Sequence, residues 1–565
     1  MVRLRSLLGA RPPKAVLPPL GPMPTEARPP KIPLDAPVLD RYRVPAGADP
    51  DAAAVVTIFE LDSLGKYSVS LPPLDADEQS ALTLLRSNLR NSIPLDAAGS
   101  AEEVVERYIW ETAQKAGILP LAKRARAKLL YFLLKEFAGY WEIDPLVNDD
   151  AVEEISVTRY DRPVRVLHRR FSEYVFMETD ISYESEARLQ AFVRRMAQFG
   201  GTTVSMAQPS LEVTLHGASD RRVTATLGDE ISRPGSTFAM RKQKENPLTI
   251  AQLAAPEEAG PRLPALRQEE GESATYEEDH FHKTLSALMA AYFWLLLERT
   301  TNVLVAGETG SGKTTLMNAI LSLMNPRSKI VTAEDVLEVN LPDHLHWQRL
   351  KTRSHRAGLS PSSGRYEYTL ADLLKLSLRF SPTILSLGEM RGEESETVAA
   401  AITLGFSTIT TIHAENAERC VQRLTTPPMR FAAGHVRDLT AIATMRKTPL
   451  PDGRVVRRLV SVDEIRPVGT DGHEILNVFR YDYAQDSFAP TTPAEVLDRS
   501  FRLNEIANSF GWTSSRVQQG LENRAAYISQ SIKAGELTPS GLASMVKRYA
   551  AKESLRELER QGGRG

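Results

Sequence analysis

Gly307, Glu308, Thr309, Gly310, Ser311, Gly312, Lys313, Thr314 and Thr315 stand in succession, and the short apolar run Asn302–Ala306 leads straight into them. A helical segment, Leu316–Met324, follows. Glycines at the first and sixth positions, then Lys and Thr, fit a phosphate loop. The chemistry needs these types. Glycines let successive backbone N–H groups turn onto a phosphate, and the helix N-terminus adds the positive end of its dipole. Lys313 then bridges β- and γ-phosphates, and the Thr314 hydroxyl completes a Mg²⁺ shell. A nucleoside triphosphate with Mg²⁺ is the expected ligand.

Three further strand-like runs end in polar clusters. Lys329–Ala333 ends in Glu334 and Asp335, with Glu338 beyond; Thr383–Leu387 ends in Gly388 and Glu389; Ser407–Ile412 ends in His413. Ligands of open parallel sheets bind at the carboxyl ends of strands, where all these clusters fall. One carboxylate there can polarise water for in-line attack while another holds Mg²⁺. Glu334 and Glu389 are the two candidates, and His413 is placed to sense a γ-phosphate. An extra strand between the loop and the Glu389 strand points to a RecA-like sheet.

The elements that must position these residues follow from the rest of the chain. At 565 residues it has room for several domains. Residues 1–50 hold 12 of the 36 prolines, which reads as an extended arm over 1–55. A helical region over 56–142 is expected from the three-to-four spacing of Val104, Tyr108, Leu129, Leu133 and Phe137. Short β-branched runs with one helix near Glu186–Phe199 make 143–250 an α+β domain. Eight acidic residues between Pro256 and Asp279 mark a linker over 251–280. Strands and helices then alternate through 281–485, and 486–565 reads as a helical extension. The expected fold class is α/β: a RecA-like P-loop ATPase domain preceded by an α+β N-terminal domain, with a helical C-terminal extension.

Composition narrows the function classes. Lys and Arg number 69 against 71 Asp and Glu, so the chain is not a nucleic-acid coat. The single cysteine, Cys420, forbids an internal disulfide and a cysteine-rich zinc knuckle. The longest uncharged apolar stretch, Thr284–Leu297, is too short to span a bilayer and reads as a buried helix. A cytoplasmic location is expected, with membrane association through a partner or the surface.

Taken in order, the loop at 307–315, Ala333-Glu-Asp, Leu387-Gly-Glu-Met-Arg-Gly-Glu and Thr410-Thr-Ile-His-Ala resemble the Walker A, Asp box, Walker B and His box of the secretion ATPases of type II and type IV secretion and type IV pilus assembly. Upstream, Tyr140-Trp-Glu-Ile-Asp-Pro-Leu, Arg222-Val and Gly235-Ser-Thr-Phe-Ala-Met-Arg resemble the N-terminal domain of that family. His346–Arg353 and the C-terminal extension resemble its archaeal branch, which includes archaellum and archaeal pilus ATPases. The resemblance implies ATP hydrolysis in a homo-hexamer, with Arg222 and Arg241 reaching a γ-phosphate in cis or in trans. It implies peripheral association with the cytoplasmic membrane through a polytopic platform protein, with pilin-like subunits as indirect partners. Within that reading Glu334 is expected to activate water, and Glu389, with Thr314, to organise Mg²⁺. The chain departs from the family in lacking the four-cysteine zinc element of bacterial type II members and in having Arg221 beside Arg222.

A rival reading rests on Leu503–Leu521, which scans like a DNA-binding helix-turn-helix around Gly511. Its second helix offers only Arg516, Gln518 and Gln519 for reading bases. A packed helical cap is the preferred reading, nucleic acid is not an expected partner, and a DNA-transfer or DNA-uptake ATPase of the same superfamily is the alternative. A third class, a ring subunit that binds nucleotide without turnover, has no residue in its favour.

Overall fold

The computed structural model describes residues 33, 36–44, 52–92, 101–171, 174–215, 220–242, 247–256, 282–299, 301–352, 368–450, 455–470 and 472–562. They fall into two compact units, the first ending at Lys242 and the second beginning at Pro247.

The first unit is built on nine strands: β1 (Val38–Val44), β2 (Ala54–Leu61), β3 (Leu64–Ser70), β4 (Val152–Val157), β5 (Arg165–His168), β6 (Met177–Thr179), β7 (Ser210–Leu215), β8 (Arg221–Thr226) and β9 (Thr237–Lys242). They lie in the order β1-β2-β3-β6-β5-β4-β9-β8-β7, antiparallel throughout except for β3 beside β6. The helix Glu186–Phe199 buries Leu189, Phe192, Val193 and Met196 in the same core as Ile155, Val223 and Met240. A second core, with Leu82, Leu85, Ile109, Leu129 and Leu133, joins the helices Ala76–Ser92, Ala101–Lys115, Leu119–Arg124 and Arg126–Phe137.

Two expectations need correction here. The arm over 1–55 contains strand β1, because Tyr42 and Val44 are buried and the Tyr42 hydroxyl donates to Asp149 Oδ2 at 2.7 Å. Pro37 precedes the strand and so removes no hydrogen bond from its ladder. Residues 1–32 lie outside the described residues. The region 56–142 is not helical from its start either. β2 and β3 form a hairpin closed by Asp62 and Ser63, both at positive φ (52° and 60°), the backbone of a two-residue turn that matches strand twist.

The second unit also carries nine strands: β10 (Asn302–Gly307), β11 (Ile330–Glu334), β12 (Trp347–Lys351), β13 (Ile384–Leu387), β14 (Ser407–Ile412), β15 (Ala441–Pro449), β16 (Val455–Val468), β17 (Gly472–Asp482) and β18 (Ser487–Ala489). Their order is β12-β11-β13-β14-β10-β15-β16-β17-β18. The first six are parallel and the last three antiparallel. β10, β11, β13 and β14 are buried at every residue, as strands covered on both faces must be. β14 lies between β10 and β13, which is the RecA-like arrangement.

Helix Ala287–Leu297 is apolar all round and buried from Leu288 to Leu297. Such a helix has no polar face to give to water. The expected linker over 251–280 is corrected at its start: Thr249 caps a short helix, Ile250–Ala254, whose Ile250 and Leu253 are wholly buried in this unit's core. Residues 257–281 lie outside the described residues. The extension over 486–565 opens with β18 before turning helical at Pro493. Buried Glu464 anchors it, accepting from the hydroxyls of Tyr292 and Ser500, both at 2.6 Å, and from the Arg502 N–H at 2.8 Å. Helix Ser514–Lys533, the second helix of the rival reading, buries Val517, Leu521 and Ile528. No helix among the described residues is long and apolar enough to cross a membrane.

Candidate functional site

The loop after β10 has the backbone that its glycines predict. Gly307 has φ of 153°, and a Cβ there would sit 2.5 Å from the Met445 carbonyl oxygen, so no side chain fits. Gly312, at φ 95°, ends the loop in the left-handed region and caps helix Lys313–Leu321, which begins three residues earlier than expected from the apolar pattern. Thr309 is exposed at the loop and Ser311 is buried, its hydroxyl donating to the Glu308 carbonyl at 2.8 Å. Lys313 is 8 % exposed. Its Nζ donates to the same carbonyl at 2.8 Å and lies 3.4 Å from His413 Nδ1. Gly310 and Thr315 are half-buried.

The three further strand ends converge on this loop. His413, directly after β14, has its Nε2 3.0 Å from Glu389 Oε1, so the imidazole stands between the ammonium and the carboxylate. Burial first, and then the Lys313 charge, hold the His413 pKa below its usual value. Glu389, two residues past β13, also binds the Arg391 guanidinium through Oε2 at 2.5 Å.

Glu334, the last residue of β11, is 1 % exposed. Its Oε1 accepts the Glu338 and Val339 N–H groups, each at 2.8 Å. Its Oε2 is buried without a hydrogen-bond partner, 3.8 Å from Arg349 Nε. Burial pushes the carboxyl pKa up to about 7, against the two N–H groups and Arg349. A group titrating there can hold or release a proton near neutral pH. The Thr314 hydroxyl donates to Glu338 Oε2 at 2.8 Å. Thr314, Glu338 and Glu389 supply hard oxygen donors, a set that suits Mg²⁺ keeping several waters.

Arg222 and Arg241 belong to the first unit, where they stand directly opposite each other on β8 and β9. Both are substantially exposed and paired with carboxylates, Arg222 with Glu212 and Arg241 with Glu153 at 3.2 Å. The two neighbouring arginines differ in their surroundings. Arg221 lies over the Tyr140 ring with its Nε buried, while Arg222 keeps its guanidinium accessible.

Two further side chains, Glu338 and Arg391, stand at the candidate site. Glu338 is marked by its spacing of four from Glu334, although no helix joins them. Arg391 lies two residues after Glu389, inside the same motif, and pairs with its carboxylate.

An open sheet with its phosphate loop on β10 and β14 inserted before β13 defines the class: a RecA-like P-loop nucleotide-binding fold. Comparison with known proteins supplies the family. The family described as "Type II/IV secretion system protein" matches residues 259–441. Uncharacterized protein MJ0900 of Methanocaldococcus jannaschii is 30% identical over 418 residues, covering 73% of this chain and 68% of that protein. Type IV secretion system protein PtlH of Bordetella pertussis is 42% identical over 125 residues, 22% of this chain and 35% of its own. The X-ray structure of the Yersinia pseudotuberculosis ATPase DotB is 14% identical, covering 70% of this chain and 90% of that one, with a TM-score of 0.39. The chain belongs to the type II/IV secretion system ATPase family.

Proposed function

We propose that this protein is a Mg²⁺-dependent ATPase motor that powers assembly of a type IV pilus-like filament, or type II/IV-like protein secretion. It works as a homo-hexamer at the cytoplasmic face of the membrane against a polytopic platform protein, and pilin-like subunits are its indirect load. The observation that carries this reading is the gathering of Lys313, at the start of the helix after the phosphate loop, with Glu334, Glu389 and His413 at or just past three strand ends.

In this reading the loop N–H groups and Lys313 hold the β- and γ-phosphates of ATP. Thr314 and Glu389, with Glu338 beside them, would hold Mg²⁺, which supplies charge neutralisation on the phosphate oxygens. Glu334 takes a proton from the attacking water through its free Oε2 as the new P–O bond forms and the bond to the β-phosphate oxygen breaks. His413, set between Lys313 and Glu389, reports whether a γ-phosphate lies beside Lys313. Arg222 and Arg241 bring positive charge from the other unit to the γ-phosphoryl group of a nucleotide in the ring.

The test is ATP hydrolysis by the purified full chain. Wild type should turn over ATP with Mg²⁺, and Lys313→Ala should fall to background while keeping its fold, since the lysine lies at the site rather than in the core. Unchanged hydrolysis in Lys313→Ala would place the chemistry elsewhere. In the native organism, loss of the gene should abolish a surface filament or a secreted protein, restored by wild type and not by Lys313→Ala.

A further inference from the structure

A cleft of about 440 Å³ opens beside Gly307 and Glu308, the first two residues of the phosphate loop, and His413. Its opposite wall is the helix Ala417–Thr425. That helix buries Ala417, Cys420, Val421 and Leu424 and turns Arg419, Gln422, Arg423 and, just beyond its end, Thr426 into the cleft. The spacing of 419, 422, 423 and 426 is that of a single helix face.

The partners of the two guanidinium groups are neutral. Arg419 Nη1 donates to Gln422 Oε1 at 2.7 Å, and Arg423 Nη1 donates to the His413 carbonyl at 2.9 Å. Neither arginine is held by a carboxylate among the described residues, which sets them apart from Arg222, Arg241 and Arg391. Glu308 and Glu415 border the same cleft.

We propose that Arg419 and Arg423 form a phosphate subsite, contiguous with the Lys313 loop, that takes a phosphate dianion: the γ-phosphoryl group of bound ATP or the orthophosphate released from it. Guanidinium forks with unused donors match phosphate oxygens, and the bond from Arg423 to the His413 carbonyl joins this wall to the loop that senses the nucleotide. The proposal rests on the phosphate-loop reading above.

The test uses the full chain as wild type, Arg419→Gln, Arg423→Gln, the double variant and Arg423→Lys. Two quantities are measured: affinity for a non-hydrolysable ATP analogue relative to ADP, and inhibition of ATP hydrolysis by added orthophosphate. A γ-phosphoryl contact makes the double variant lose about tenfold or more of its preference for the analogue, with ADP affinity held. An orthophosphate contact instead weakens phosphate inhibition by a similar factor. In either case Arg423→Lys should recover part of the loss. If Arg423→Gln lowers thermal stability, Arg419→Gln, whose partner is only Gln422, carries the test alone. Analogue preference and phosphate inhibition both within twofold of wild type overturn the subsite, as does an equal loss of ADP and analogue affinity. A wild-type protein that binds neither nucleotide sinks the phosphate-loop reading instead.

Discussion

Both units are built on nine strands, yet they hold their charges in opposite ways. In the antiparallel sheet of the first unit, Arg222 and Arg241 stand side by side on an accessible face, each balanced by a glutamate. In the parallel sheet of the second, Lys313 and Glu334 are 8 % and 1 % exposed, and Glu334 keeps one oxygen without a partner. Exposed ion pairs contribute little to stability and exchange partners at little cost. Buried, incompletely satisfied charges destabilise the fold and are retained where chemistry uses them. On the proposed function, the second unit is prepared for nucleotide before it arrives, and the arginines of the first would gain value only on exchanging their glutamates for a phosphate.

The largest test of this contrast is on the arginines. An arginine that neutralises charge on a γ-phosphoryl group is worth roughly 10³-fold or more in rate. Arg222→Ala and Arg241→Ala should each lose about that factor at ring-forming concentrations, with little change in thermal stability. If the contact is in trans, mixing Arg222→Ala with Lys313→Ala restores some activity, because a mixed ring can pair an intact arginine with an intact loop. If it is in cis, mixing restores none. Full activity in both arginine variants removes them from the site.

The carboxylates come next. Glu334→Gln and Glu389→Gln should each bind ATP and lose at least ~10²-fold in turnover. Their signatures should differ. Glu389→Gln shifts the Mg²⁺ dependence, because Glu389 is expected at the metal, while Glu334→Gln leaves it in place. A normal rate together with a normal Mg²⁺ response in Glu389→Gln overturns that assignment.

How far the molecule could be read from its residues follows the same division. The candidate site was legible because backbone geometry demands particular types there: glycine where a Cβ would meet Met445, lysine at the helix start, and carboxylates or histidine at the ends of short strand-like runs. Helix Ala287–Leu297 was legible because nothing on it is charged. Strands β1 to β3 were not, since β1 is an edge strand rich in charged residues inside a proline-dense stretch, and its burial depends on Asp149, over a hundred residues away. The unpaired oxygen of Glu334 was equally hidden. It depends on which backbone N–H groups the Glu338 turn offers to Oε1 and how far Arg349 stands from Oε2, both set by the folding of the chain after β11.

The smallest effect isolates the cost of that buried carboxylate. Its pKa rises from 4.5 to about 7 on folding, chiefly because burial penalises the charged form. A raised folded pKa means that the folded state holds the proton more tightly than the unfolded chain. The stabilising contribution is therefore complete below pH 4.5 and is lost as the pH climbs through 7, where the carboxylate must sit ionised in a buried site. Glu334→Gln keeps an oxygen to accept the Glu338 and Val339 N–H groups but carries no charge at any pH. Relative to wild type, the variant should gain stability progressively between pH 4.5 and pH 7 and hold a constant advantage above that, of up to about 3 kcal/mol for a shift of this size. Thermal or urea unfolding of the nucleotide-free proteins at pH 5, 6, 7 and 8 reads the difference directly. A difference that stays flat across that range would show that Glu334 ionises as freely in the fold as in water, and the contrast between the two units would lose its clearest member.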